Sequence, residues 1–308
     1  MVLCGRCLGV LEGDPFKGEV MSVYFTDSDC EIWYTDVDEL GINFLPMPYL
    51  IDGKEFAYDM GRNTDFHALY EKMRGVAMPT TAALNPQDYI DAFEPIFARG
   101  EDILYVHFSS ELSGTFNHLK TALNELKEKY PERKCTMFDT KSICYGAGVI
   151  ALEGARLHKA GLSDNEIISR LEELKKRLHI EFMVDSLSHL RRGGRISATS
   201  AVFGAMLGIK PILKCDENGK IVKIATQKGK AKALAFMADR AAASFDYSRE
   251  LYLVDADDKV AADLAEKILR EKLGDKIKIR RLPVGPVIGA HCGPGTIGFI
   301  YFNETANA

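Results

Sequence analysis

Phe108-Ser109-Ser110-Glu111-Leu112-Ser113-Gly114-Thr115 crowds hydroxyl groups between an apolar run at 103–108 and a helically spaced set, Phe116, Leu119, Leu123 and Leu126. Hydroxyls and unpaired backbone N–H groups at a helix start suit a carboxylate or phosphate. The stretch therefore predicts a hold on an anionic head group. Two further clusters carry donors. Leu190-Arg191-Arg192-Gly193-Gly194-Arg195-Ile196-Ser197 sets two glycines between arginines, which predicts a tight turn where backbone approaches another group closely. Its guanidinium forks suit the same anions; taken alone, a solvated basic turn is the plainer reading. Finally, residues 284–295 place His291 in a glycine- and proline-rich loop. Its ring is either a polar surface group or, given glycines that allow close packing, part of a binding site.

Other chemistries fit less well. Ser113 sits in Leu-Ser-Gly-Thr, without the G-x-S-x-G elbow of a hydrolase nucleophile. Gly293 to Gly298 satisfies G-x-G-x-x-G but precedes a strand-like run and leaves ten residues, too few for a dinucleotide-binding unit. No Walker loop is present. Cys4-Gly5-Arg6-Cys7 has the spacing of a redox or zinc pair, yet no strand precedes it and no second Cys or His pair follows. It reads as part of an N-terminal extension, residues 1–20, without chemistry. No metal site is expected.

These clusters need a scaffold, and the chain has the length for one. At 308 residues two domains are the better expectation. Hydrophobic residues make up 46% and charged ones 27%, with net charge −5, which argues against general nucleic-acid binding. No apolar run approaches a membrane span, no secretory signal is evident, and seven scattered Cys fit reduced thiols in a cytoplasm. Strand-like runs at 23–25, 103–108 and 135–138 alternate with helical ones opened by Asn85-Pro86 and at 115–130. That order predicts a doubly wound parallel sheet over residues 21–160, with ligand beyond the strands' carboxyl ends, where Asp27, Thr81 and Ser113 fall. A capping box at Ser163-Asp164-Asn165-Glu166 opens the next unit, 161–308. There Asn218-Gly219 signals a hairpin, hence a mixed sheet, and 201–207 is expected to be a buried helix.

Together these segments resemble the DegV family of bacterial fatty-acid-binding proteins over residues 23–302. The matching stretches are Asp27-Ser28, the loop Pro79-Thr80-Thr81-Ala82-Ala83-Leu84-Asn85-Pro86, Leu112-Ser113-Gly114-Thr115, residues 190–197, Gly208-Ile209-Lys210-Pro211-Ile212-Leu213, and Gly285 to His291. Six motifs in order are a specific signature. The resemblance implies two α/β domains enclosing one long-chain fatty acid in an apolar tunnel between them. Thr81 and Ser113, with Gly114, would take the carboxylate; His291 and either Arg192 or Arg195 would lie close to it. It further implies no catalysis and no cofactor, and a separate fatty acid kinase as partner, to which the acid is presented for acyl-phosphate formation.

Some positions depart from the family pattern. Ala82 replaces a serine, Ala83-Leu84 replaces Gln-Pro, and Lys228 stands where arginine is common. These bear on ligand preference rather than on the fold. The rival from another class is an enzyme acting on a small anionic metabolite at the same Ser/Thr/Arg/His site.

Overall fold

The computed structural model describes residues 21–75, 78–196 and 208–305. The Cys4/Cys7 pair, Ser197 and the helix expected over 201–207 lie outside the described residues. In chain order come β1 (Val23–Asp27), α1 (Tyr34–Leu40), β2 (Asn43–Leu45), β3 (Pro48–Ile51), β4 (Lys54–Ala57), α2 (Phe66–Arg74), β5 (Thr80–Thr81) and α3 (Pro86–Ala98). Next are β6 (Ile103–His107), α4 (Thr115–Lys129), β7 (Cys135–Asp139), α5 (Cys144–Lys159) and α6 (Asp164–Arg177). The remainder is β8 (Leu178–Met183), α7 (Ser188–Arg192), β9 (Ile209–Cys215), β10 (Ile221–Lys228), α8 (Lys230–Ala242), β11 (Leu251–Asp255), α9 (Lys259–Leu273), β12 (Ile279–Pro283), α10 (Pro286–Cys292) and β13 (Ile297–Phe302).

Four parallel strands in the order β2-β1-β6-β7 form the first sheet, as the alternating pattern predicts. Successive strand residues point to opposite faces, and β1 shows both faces covered. The Tyr24 hydroxyl donates to the Ala151 carbonyl of α5, while the Phe25 ring meets Phe93 of α3 edge-on. The order reverses between β1 and β6, so the crevice beyond their carboxyl ends is where a ligand of this sheet is expected. Behind it, α3 starts on a complete capping box. Asn85 Oδ1 accepts from the N–H groups of Gln87 and Asp88, and Asp88 Oδ2 accepts from Asn85 N–H. Asn85→Ala is expected to cost about 1 kcal/mol, measurable as a lowered urea midpoint with unchanged slope.

The second sheet, β10-β9-β8-β13-β11-β12, is mixed, with β11–β12 its parallel pair. The Asn218-Gly219 hairpin is present, and Gly219 takes φ +84°, a conformation side chains disfavour. Along β13, Ile297, Phe299 and Tyr301 join a core with α8 and α9, whereas Ile300 and Phe302 face the first unit. In β8, Leu178, Ile180 and Phe182 likewise look toward the first unit. One face of this sheet is thus reserved for the junction between the two halves.

Three features depart from the sequence expectations. A third, antiparallel sheet, β4-β3-β5, arises from the undiagnostic stretch after β2 and carries Thr81 opposite Tyr49. Residues 286–292 form a helix rather than a loop, because Pro286 at its first position pre-sets the backbone. Lastly, α6 opens on the expected Ser163–Glu166 capping box and packs against α5, with Leu171 beside Gly154. Its Ile167, Leu171 and Leu174 join the core that runs through both sheets rather than the separate one under α8 and α9. Ser22 Oγ–H donates to Asp164 there at 2.6 Å. Among the described residues, no helix is long and apolar enough to cross a membrane.

Candidate functional site

A cavity of about 130 Å³ opens beyond the carboxyl ends of β1 and β6, closed on the far side by the mixed sheet. Its apolar wall includes Phe108 and Leu112 from the first unit and Ile180, Phe182, Val254 and Ile300 from the second. Thr81, Ser113, Gly114, Arg195 and His291 all line it. Of the expected head-group residues only Arg192 does not. Its guanidinium turns outward to the Met78 sulfur and His189 Nδ1.

The polar residues form one connected arc. Ser113 Oγ accepts the N–H of Thr115 at 3.3 Å, in the first turn of α4. A Cβ added to Gly114 would meet no protein atom within 4 Å, so the helix mouth is open on that side. Beside it, Arg195 Nε–H donates to the Leu112 carbonyl at 2.9 Å, and Nη1–H to the Gly193 carbonyl at 2.5 Å. Gly193 lies against the imidazole of His291, where a Cβ would collide with Nδ1. This is the close approach that the Arg-Gly-Gly-Arg turn predicts. His291 Nε2 in turn lies 2.9 Å from Thr81 Oγ1, which closes the arc.

Burial, with Arg195 and Arg192 nearby, holds the His291 pKa down at about 4. The ring is therefore neutral at physiological pH, and its buried Nδ1 has no hydrogen-bond partner. With the ring proton on Nε2, His291 donates to Thr81 and leaves the Thr81 hydroxyl proton free for an acceptor in the cavity. Burial also lowers the Arg195 pKa, but a guanidinium stays charged.

Neighbouring hydroxyls serve the scaffold instead. Ser109 Oγ–H donates to the Gly219 carbonyl at 2.8 Å, docking the hairpin of the second unit onto the first. Ser110 Oγ–H donates to Asp139 at 2.5 Å. Asp27, which the strand-end rule also singles out, accepts from the Tyr105 hydroxyl and the Phe108 N–H, both at 3.2 Å. It braces β1 against β6 and is not among the cavity-lining residues. Sequence reading missed Asp29, which follows β1 in a 3-10 turn and does line the cavity. Its signal is the run of polar residues that ends β1. Among the described residues, the one His/acid group close enough to share a metal ion is His67, Glu71 and Asp257. There Arg74 already pairs with both carboxylates.

Known proteins share this architecture. A DegV domain-containing protein of Clostridium perfringens is 36% identical over 285 residues, 92% of this chain and 98% of its own length. A Streptococcus pyogenes DegV domain-containing protein is 30% identical, covering 91% of this chain and 98% of that one. Among solved structures, a DegV family protein from Thermus thermophilus, described for its fatty acid binding, superposes with TM-score 0.78 at 27% identity, covering 92% of this chain and all of that one. DegV of Bacillus subtilis, a fatty acid binding protein, gives 0.74 at 27% identity, covering 93% and 100%. The profile of the DegV family, described as uncharacterised proteins, matches residues 24–304, and the chain belongs to that family.

Proposed function

We propose that this protein binds one long-chain fatty acid in the cavity, with Thr81 and Ser113 on its carboxylate, and presents it to a separate fatty acid kinase for acyl-phosphate formation. The protein works in the cytoplasm and has no turnover of its own. The observation that carries this reading is the sorting of the wall. Hydroxyls, imidazole and guanidinium are linked in one arc, while the facing sheet contributes aliphatic and aromatic side chains. The fatty-acid-binding relatives from Thermus thermophilus and Bacillus subtilis support the same ligand class.

The energetics divide the labour. A carboxylate leaving water needs hydrogen bonds to offset its desolvation, and two hydroxyl donors plus the open start of α4 supply them. The tail contributes about 0.8 kcal/mol per buried CH₂, so affinity resides mainly in the tail and orientation in the head group. With Ala82 and Ala83 at the lining, the loop after Thr81 offers methyl groups where the family pattern has polar ones.

Native mass spectrometry of the purified protein is expected to show a co-purifying mass that organic extraction identifies as a long-chain fatty acid. A small polar metabolite in its place would overturn the reading. Addition of a fatty acid kinase catalytic subunit and ATP is expected to convert the bound acid to acyl phosphate, whereas ATP alone yields none.

A further inference from the structure

We propose that Asp29 is a hydrogen-bond donor to the ligand head group, a carboxylic acid that shares one proton with the incoming carboxylate. This rests on the fatty-acid reading above. Asp29 is 3% exposed, lines the cavity, and its Oδ1 is buried with no hydrogen-bond partner. An ionised, unpartnered carboxylate in such a place is costly. A second carboxylate brought into the same cavity makes it costlier, and two acids sharing a site keep one proton between them.

The surroundings fit that arrangement. Burial pushes the Asp29 pKa up, and the neighbouring acids Asp27 and Glu31, on the same segment, push it further wherever they are ionised. Cys30, Tyr58 and Tyr89 also lie within its field, and none of them carries positive charge. Arg195 alone opposes the shift, and two of its donors are committed to the Leu112 and Gly193 carbonyls. One guanidinium charge then balances one shared-proton acid pair. On loading, the proton of Asp29 is shared with the ligand carboxylate, and solvent supplies it at any pH where Asp29 is ionised in the empty protein; no covalent bond is made or broken. A head group that keeps two negative charges, such as an acyl phosphate, meets this site with one charge too many.

Oleate binding to the wild-type protein, Asp29→Asn and Asp29→Ala provides the test. Asparagine keeps an N–H donor and is expected to bind within about threefold of wild type, while alanine loses about tenfold. Alanine binding as tightly as wild type, or more tightly, would mean that Asp29 only repels the ligand, and the proposal fails. A check that depends on neither variant folding is calorimetry of wild type in two buffers of different ionisation enthalpy. Proton uptake on loading is expected once the pH exceeds the point at which Asp29 ionises in the empty protein, because the ligand carboxylate raises its pKa further. Binding that persists to high pH without uptake at any pH overturns the proposal. Failure of wild type to bind oleate at all would instead remove the fatty-acid reading itself.

Discussion

A Thr81→Ala, Ser113→Ala double variant is expected to lose fatty-acid affinity by roughly a hundredfold or more, since each hydrogen bond to a charged acceptor is worth roughly 1.5–3 kcal/mol. The two hydroxyls come from unrelated elements, the short edge strand β5 and the turn ahead of α4. Each single variant should cost about tenfold or somewhat more. Because both serve one carboxylate, their effects are coupled, and the double loss need not equal the sum. The fold should survive. Thr81 and Ser113 are half-buried, and the bonds they surrender, to His291 and to the Thr115 N–H, lie at the cavity rim. A displacement titration with a fluorescent fatty acid, paired with thermal unfolding, checks both halves. Unchanged affinity in the double variant would remove the head-group site from Thr81 and Ser113 while leaving the cavity as a tail-binding space.

The reading of the sequence succeeded where one local signal decides the outcome. Alternating strands and helices, the hydroxyl-rich turn before α4, the Asn85 and Ser163 caps and the Asn218-Gly219 hairpin each rest on short-range chemistry that no distant contact reverses. It failed where tertiary packing decides. The apolar pattern of α6 is equally suited to either half, and only its packing against α5 shows which helix it covers. Strands β3 to β5 are short, and β4 is exposed throughout, so they carry no alternation to read. The roles of Arg192 and Arg195 are indistinguishable by spacing, because the positive φ of Gly194 at +72° turns the second arginine inward and leaves the first outside. Asp29 escaped notice for a related reason: sequence places three acids, Asp27, Asp29 and Glu31, in five residues, and only the fold shows that all are buried. Such a cluster costs stability and is retained beside a cavity, which is where local rules are expected to give way to function.

Glu31 gives that cost a measurable form. The Cys144 thiol and the Gly285 N–H, from opposite halves of the molecule, both donate to its carboxyl group at 2.6 Å. Burial nevertheless dominates and pushes its pKa up to about 8. A buried acid of raised pKa binds more protons folded than unfolded, so the slope of unfolding free energy with pH is negative between the two values. The Glu31 contribution is therefore present in full below the unfolded value of 4.5 and is lost as pH rises through about 8. Asp27, raised to about 6, and Asp29 act in the same direction. His291 acts oppositely, since its lowered pKa makes the folded state reluctant to bind a proton below 6.5. The interval from 6.5 to about 8 thus belongs mainly to the acids. Glutamine at position 31 mimics the protonated form, keeping a carbonyl for the Gly285 N–H and setting an amide beside the Cys144 sulfur. Glu31→Gln is expected to flatten the decline over that interval and to exceed wild type at pH 8 by on the order of a few kcal/mol. Urea unfolding of both proteins at several pH values measures the difference, in which the titration of groups remote from Glu31 cancels. Parallel pH profiles would mean that Glu31 is ionised in the folded protein, and that its contacts with Cys144 and Gly285 outweigh its burial.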